Sequence, residues 1–499
     1  MSARVLMLQG SMSSVGKSLL VAGLCRLYAR QGLHVAPFKA QNMSNNAAVC
    51  MDGSEIGRAQ YTQALACGIE PQAVMNPILL KPEADARSQV IVMGKPYASL
   101  PAREYYQHKK KLWKIICNAI DSLKDSYDLL IIEGAGSPVE LNLKAGDLVN
   151  MAVAKYTQAS VLLVGDIDRG GIFAQLLGTL MLLEEEERHL VKGLLVNKFR
   201  GDPDLFMDGI KDIEKRSSLP VLGLIPYIKH NIPEEDAVAI ETQNIGQQST
   251  DYIDIAVVRF PRIANFDDFD ALNNEEGISV RYIDSPEEIN EAKAIILPGT
   301  KSTMADLSWL QEQGLDKAIQ GFANDCGAIV GICGGYQMLG KVISDPNHIE
   351  SGLDEIQGLE LLDIETTFDD QKATHQVSGS IQPISDWLSS IESKQIKGYE
   401  IHMGKTNLLN GKQWLKIHKR GGKGVNDVDG AVSEDGRVWG CYLHGIFDSC
   451  EFRHAWLGSL GWQKGPQGPP STLDSSFDHL ADVLQGSTDL NKLNAILGI

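Results

Sequence analysis

Short, continuous apolar runs separated by longer amphipathic stretches organise the first half of the chain. Val5 to Gln9, Val35 to Phe38, Leu129 to Glu133, Val161 to Asp166, Leu194 to Phe199 and Val221 to Ile225 read as strands. Between the first two, Leu20, Leu24 and Leu27 recur at helical spacing and Gly32 supplies a stop. Strands alternating with helices predict an α/β fold with a doubly wound parallel sheet, and residues 1–236 form one such domain.

From Glu241 to Asp251 the chain turns polar and loses periodicity, which predicts a linker over 237–252. A second α/β series follows, with strands at Ile253 to Val258, Ile278 to Ile283, Ala294 to Leu297, Ala328 to Ile332 and Val438 to Leu443, giving a second doubly wound domain over 253–455. In the remaining segment, 456–499, Gly465 to Pro470 reads as a stiff connector. Phe477, Leu480 and Leu484, then Leu490, Leu493 and Ile496, predict two short amphipathic helices.

Composition narrows the function classes. A formal charge of −18, from 46 basic against 64 acidic residues, opposes binding to nucleic acid or an anionic membrane surface. No apolar stretch has the length to span a bilayer, and the first residues run into a glycine-rich loop with no targeting segment in view. Eight scattered cysteines without a CxxC pair suit a reducing cytoplasm, and neither disulfides nor a structural zinc is expected. The sequence does not reveal the oligomeric state.

Two stretches carry chemistry. At Gly331-Ile-Cys333-Gly334-Gly335-Tyr-Gln337 an apolar strand stops at a cysteine followed by two glycines, the pattern of a nucleophile elbow. Cys333 is expected to be exposed at a helix N-terminus, where unpaired N–H groups favour the thiolate. Gly10-Ser-Met-Ser13-Ser-Val-Gly16-Lys17-Ser18 follows a strand and opens a helix, the setting of a phosphate-cradling loop. Lys17 would reach the terminal phosphates of ATP and the Ser18 hydroxyl would ligate Mg²⁺. Glu133 ends a strand at the carboxyl edge of the sheet and is the candidate Mg²⁺-associated acid.

The loop, with Gly10 one residue further from Gly16 than standard, resembles that of dethiobiotin synthetase and its relatives, in which an Asn equivalent to Asn197 contacts adenine. Partition-type ATPases carry a second lysine where this chain has Met12. Read together, the two halves resemble the cobyric acid synthase family, glutamine-dependent amidases of cobalamin biosynthesis. The resemblance rests on Pro37-Phe-Lys39-Ala-Gln41-Asn42-Met43, Glu55-Ile-Gly-Arg58-Ala-Gln60, Glu133-Gly-Ala-Gly136-Ser-Pro-Val-Glu140, Asp166-Ile-Asp-Arg169-Gly-Gly171, Leu297-Pro-Gly299-Thr-Lys-Ser302, Gly398-Tyr-Glu-Ile-His402-Met-Gly404 and Tyr442-Leu-His444-Gly445.

The resemblance implies a phosphate-loop ATPase domain fused to a class I-type glutamine amidotransferase domain. The implied reaction amidates four carboxylates, b, d, e and g, of adenosylcobyrinic acid a,c-diamide, with ATP activating each one and glutamine supplying nitrogen. Lys39, Arg58, Lys81 and Arg169, with Gln41 and Asn42, are the candidate substrate contacts, the cations acting as a cluster for a polycarboxylate. Cys333 is the expected nucleophile and His444 its proton shuttle, with backbone N–H groups of Gly334 and the Gly299 loop facing the oxyanion. His402 is a rival base, for which a structural or substrate-side role is preferred. Typical class I enzymes place a glutamate two residues after this histidine, where this chain has Ile446; a backbone carbonyl or Asp448 could orient His444 instead. A related corrinoid amidase acting at the a and c positions is the nearest alternative. From another class, the alternative is a nucleotide-switch protein with a degenerate amidotransferase module.

Overall fold

The computed structural model describes residues 3–84, 87–233, 252–289, 291–463 and 472–499. Strands of the two parallel sheets are numbered in chain order. The first sheet contains β1 (Arg4–Gly10), β2 (Val35–Phe38), β3 (Leu129–Glu133), β4 (Ser160–Asp166), β5 (Val191–Phe199) and β6 (Val221–Pro226), all parallel, in the order β6-β5-β4-β1-β3-β2. These strands read as apolar runs because both sheet faces are covered, and separate hydrophobic clusters fill the two sides. The chain builds β2 and β3 on one side of β1 and then crosses to β4 on the other. The carboxyl ends of β1, β3 and β4 therefore meet at a switch point, where such sheets bind ligands.

The second sheet holds β7 (Ile253–Val258), β8 (Ile278–Ile283), β9 (Ala294–Leu297), β10 (Ala328–Ile332) and β11 (Val438–Cys441), parallel in the order β8-β7-β9-β10-β11. A two-residue strand, Ala431–Val432, closes its edge antiparallel to β11. Both doubly wound sheets thus match the reading of the sequence. Helix Cys450–Ser459 carries the second unit slightly beyond the expected residue 455.

Three features depart from that reading. A third sheet lies between Val342 and Asp429, dominated by the antiparallel pair Ile364–Ile381 and Gln395–Leu408. Its hydrophobic alternation is interrupted where the register shifts between Phe368 and Ala373, which hides the strand period. Within the first domain, residues 41–101 supply a four-stranded sheet and the hairpin Ala47–Val49/Glu55–Gly57. That hairpin leans on the second domain: Ala47 N donates to Asn265 Oδ1 at 3.1 Å and Gln376 Nε2 to Val49 O at 2.6 Å.

Residues 237–251 of the expected linker and the connector Gly465 to Pro470 lie outside the described residues. The two expected C-terminal helices are present as Leu473–Ser487 and Leu490–Leu497; the first packs on helix α1 (Lys17–Arg30) and the second against β1 and β6 of the first domain. Leu480 and Leu484 lie over Gly23, where an added Cβ would come within 2.5 Å of Leu484 Cδ1. Arg26 Nε pairs with Asp478 Oδ1 at 2.8 Å, and Asp489 N donates to Leu222 O at 2.7 Å. Among the described residues no helix is long and apolar enough to cross a membrane.

Candidate active site

The end of β10 turns sharply into the short helix Gly334–Met338, and Cys333 sits at the turn with φ 52° and ψ −109°. This is a strained, left-handed conformation for a residue with a side chain, as a nucleophile elbow requires. The helix presses so closely on β9 that a Cβ at Gly335 would overlap the Leu297 carbonyl oxygen, and one at Gly331 would lie 2.7 Å from Gly335 O. The glycines are there to permit this approach. Contrary to expectation, Cys333 is only 7% exposed. It opens into a cavity of about 740 Å³ whose walls include Gly299 and His444 of its own domain and Asn45, Lys81 and Gln89 of the first. The first domain therefore roofs the thiol.

His444 follows β11 and is fully enclosed, with its Nδ1 2.6 Å from Asp268 Oδ2. The other oxygen of Asp268 accepts from Gly445 N at 2.9 Å, so one carboxylate fixes both the ring and the backbone that carries it. Burial alone would disfavour the imidazolium. The Asp268 charge and hydrogen bond and the adjacent Cys333 thiol outweigh it and raise His444 to about 10. The imidazole is therefore held in its protonated form at neutral pH, a proton donor beside Cys333.

Asp268 is the group that stands on His444 Nδ1, the place the sequence left open between a backbone carbonyl and Asp448. It comes from the turn Phe266–Phe269 beyond the carboxyl end of β7, which is where a parallel sheet places functional groups. Asn265-Phe-Asp-Asp268-Phe, an acidic pair flanked by aromatics, is the signal the sequence offered. Asp448 instead approaches the Gly445 backbone and is itself raised to about 6 by burial and by Asp268 and Asp267. His402 stacks on Tyr442 with centroids 3.7 Å apart, and its Nδ1 lies 2.8 Å from Gly404 O. It lines the same cavity as Cys333, tied to the sheet by these contacts. Gly299 borders His444 so tightly that an added Cβ would be 2.9 Å from Cε1, and Gly334 backs on Thr300, whose amide nitrogen would lie 3.3 Å from such an atom.

The second centre lies at the switch point of the first sheet, in a cavity of about 570 Å³ lined by Ser13, Gly16, Lys17, Ser18, Lys39, Asn42, Gln63, Glu133, Arg169 and Asn197. Gly16 has φ 92°, and Asn197 Nδ2 holds the loop by donating to Val15 O at 2.7 Å. Gly10 starts the loop so close to Met12 that a Cβ would lie 2.7 Å from its carbonyl oxygen. Lys17 Nζ donates to Gly136 O at 3.2 Å, across the space that phosphates would fill. Glu133 gathers Ser18 Oγ at 2.9 Å, Lys39 Nζ at 2.9 Å and Gln63 Nε2 at 2.6 Å. Burial would push its carboxyl up, but Lys39, Gln63 and Lys17 hold it below the usual range, so it is ionised. A serine hydroxyl beside an ionised carboxylate is a hard-oxygen pair that fits Mg²⁺, with water and phosphate completing the shell.

The structure separates the proposed substrate cations. Lys39 faces Glu133 in the nucleotide cavity. Arg169 lines that cavity with a side chain 54% exposed. Lys81 and Lys372 of the second domain line the cavity of Cys333, and both pair with Glu55, Lys81 at 2.9 Å. Arg58 is buried at the domain contact, 3.0 Å from Asp267. They do not form one cluster, because each already neutralises an internal acid. Asn42 Nδ2 donates to Gln60 Oε1 at 3.1 Å, and Gln41 accepts from Tyr105 at the mouth of a third cavity. That cavity, of about 520 Å³, shares Ser13, Met43, Ala135 and Gly136 with the nucleotide cavity.

Residues 6–237 match the family model described as a CobQ/CobB/MinD/ParA nucleotide binding domain, and residues 254–452 that of a CobB/CobQ-like glutamine amidotransferase domain. A cobyric acid synthase of Chloroflexus aurantiacus is 55% identical over 97% of this chain and 96% of its own. One from Chloroflexus aggregans is 54% identical over 99% of both chains, and one from Moorella thermoacetica is 46% identical over 100% of this chain and 98% of its own. With identity at this level across both domains and almost every residue, the chain belongs to the cobyric acid synthase family.

Proposed function

We propose that this chain uses ATP and glutamine to amidate carboxylates b, d, e and g of adenosylcobyrinic acid a,c-diamide, giving adenosylcobyric acid. The observation that carries the reading is the joining of two chemistries in one chain: a Cys333–His444–Asp268 constellation roofed by the domain that holds Lys17, Ser18 and Glu133.

Cys333 Sγ attacks the carboxamide carbon of glutamine, the oxyanion is met by backbone N–H groups of Gly334 and the Gly299–Thr300 loop, and His444 gives its proton to the departing ammonia. Water then releases glutamate from the thioester. At the other centre Lys17 and the loop amides hold the phosphates of ATP while the acceptor carboxylate attacks the γ-phosphorus and ADP leaves. The acyl phosphate turns a poor acyl donor into one that ammonia can attack, expelling phosphate. Mg²⁺ held by Ser18 and Glu133 would neutralise phosphate charge.

The third cavity is the natural place for the edge of the corrin. It adjoins the phosphate loop, and Leu80, Val90, Leu100 and Tyr105 give it an apolar wall while Lys109 and Lys144 stand at its rim. A cytoplasmic location belongs to the same reading and is supported by eight scattered cysteines without a disulfide framework.

Product analysis after incubation with the a,c-diamide, ATP, Mg²⁺ and glutamine tests the proposal, with a gain of four amides expected. Cys333→Ala should abolish glutamine-driven amidation and leave ammonia-driven amidation in place. Loss of both together would overturn the two-site scheme.

A further inference from the structure

Helix α2 (Arg58–Ala66) belongs to the first domain, yet its first residue reaches the glutaminase. Arg58 Nε lies 3.0 Å from Asp267 Oδ2, a Coulomb contact without a directed hydrogen bond, and Nη2 donates to the Tyr399 hydroxyl. The guanidinium also sits 5.2 Å from the centre of the Tyr399 ring. Both partners touch the machinery that fixes His444. Asp267 is joined by one peptide bond to Asp268, which holds His444 Nδ1. Tyr399 stacks on the imidazole with centroids 5.2 Å apart and planes 16° apart, and His444 N donates to Tyr399 O at 2.9 Å.

Five positions along the same helix, Gln63 Nε2 donates to Glu133 Oε2 at 2.6 Å and to Ser18 O at 3.3 Å. Five residues of helix span roughly 7.5 Å, too short a distance to bend appreciably. One rigid segment therefore touches the carboxylate at the nucleotide centre and the cation beside the catalytic histidine. Glu133 is also where a metal ion would compete with the Gln63 amide for the carboxylate oxygens. Gln63 Oε1 and Gln60 Nε2 are buried on this segment with no hydrogen-bond partner among the described residues. Such atoms mark a place where an alternative arrangement can recover bonds this one lacks.

Charge gives Arg58 its role. Asp267, with a side chain 8% exposed, and the buried Asp268 are adjacent carboxylates, and His444 can neutralise only one of them. Without Arg58 the remaining charge would be uncompensated, and Asp267 would either take up a proton or push Asp268 off the imidazole.

We propose that Arg58 is a positioning residue for the glutaminase, supplied by the ATP domain, and that α2 couples occupancy of the Ser18/Glu133 centre to the orientation of His444. The coupling restrains ammonia release until the centre that consumes it is loaded. It rests on the amidotransferase reading above.

The test measures glutamine hydrolysis by the full chain with and without a non-hydrolysable ATP analogue plus Mg²⁺, alongside ammonia-driven amidation with ATP. Arg58→Met should lower glutaminase kcat on the order of tenfold at an unchanged KM for glutamine, a size typical of site-to-site coupling. Arg58→Lys should recover a substantial part of that loss, and ammonia-driven amidation should persist in both. A normal kcat in Arg58→Met, or a lysine variant no better than methionine, overturns the positioning role. Gln63→Leu supplies an arm that does not depend on the folding of the Arg58 variants. The analogue should stimulate the wild-type glutaminase, and that ratio should fall to one in Gln63→Leu; equal ratios in the two proteins overturn the coupling. A wild-type chain that hydrolyses no glutamine under any condition would instead defeat the amidotransferase reading itself.

Discussion

Asp268 Oδ2 approaches His444 Nδ1 to 2.6 Å across 176 residues of sequence, and both side chains are 2% exposed. An acid thus stands on His444 although the position two residues on, a glutamate in typical class I enzymes, is Ile446 in this chain. Asp268→Asn retains the shape but removes the charge that holds the imidazolium. Glutaminase kcat should fall by about 10²- to 10⁴-fold, as in other nucleophile–histidine–acid sites. Ammonia-driven amidation in the same preparation should be preserved, and a parallel loss of both would mean that Asp268 acts on folding.

The same pair makes stability depend on pH. The native state keeps on His444 a proton that an unfolded histidine releases near about 6.5. The stabilisation from this pair is therefore complete below that pH and is lost as pH rises through about 10. Urea midpoints should fall between pH 7 and pH 10 more steeply for wild type than for Asp268→Asn. The comparison of the two proteins matters because Lys372, lowered to about 8 by burial, titrates in the opposite sense. Parallel curves would show that His444 is not held protonated.

Glu133→Gln removes the anion that Ser18, Lys39 and Gln63 converge upon. ATP-dependent amidation with ammonia should drop by about 10²-fold or more, a usual cost for losing a group that organises transition-state charge. Glutamine hydrolysis measured without nucleotide should survive. Retention of ammonia-driven amidation would remove Glu133 from the metal site.

Gly335→Ala tests the elbow sterically. The new methyl group would collide with the Leu297 carbonyl, which is strand backbone and not a flexible side chain that can swing aside. We expect a loss of about 3 kcal/mol, seen as a lowered thermal midpoint of the amidotransferase domain. An unchanged midpoint would show that the helix after Cys333 is not packed against β9 in this way.

The sheets and both loops that carry chemistry were legible because buried parallel strands are plain apolar runs and because tight turns demand glycine at fixed places. Gly16, Gly331 and Gly335 are where they are for backbone reasons that spacing alone can reveal. Asp268 was not legible as an orienting group, since its partner comes from the far end of the domain and acids in a turn ordinarily face water. Lys81 and Arg58 show the complementary difficulty: a cation in a motif reads as a substrate contact, and only the fold reveals Glu55 and Asp267 beside it. The antiparallel sheet escaped because the register shift after Phe368 spoils the two-residue period that would have announced it.

The docking of Leu473–Ser487 on α1 and of Leu490–Leu497 against β1 and β6 returns the chain to the first body, so that the second is set within it. The polypeptide passes from the first body to the second after residue 233 and is back by residue 472. Two tethers constrain relative movement more than one does, favouring a rocking motion over free reorientation. Cutting either passage would leave a nicked but associated particle, and removing residues 473–497 would strip part of the packing of the first body before it touched the second. Separating the activities for study therefore calls for excising residues from the middle and rejoining the ends, not for cutting the chain in two.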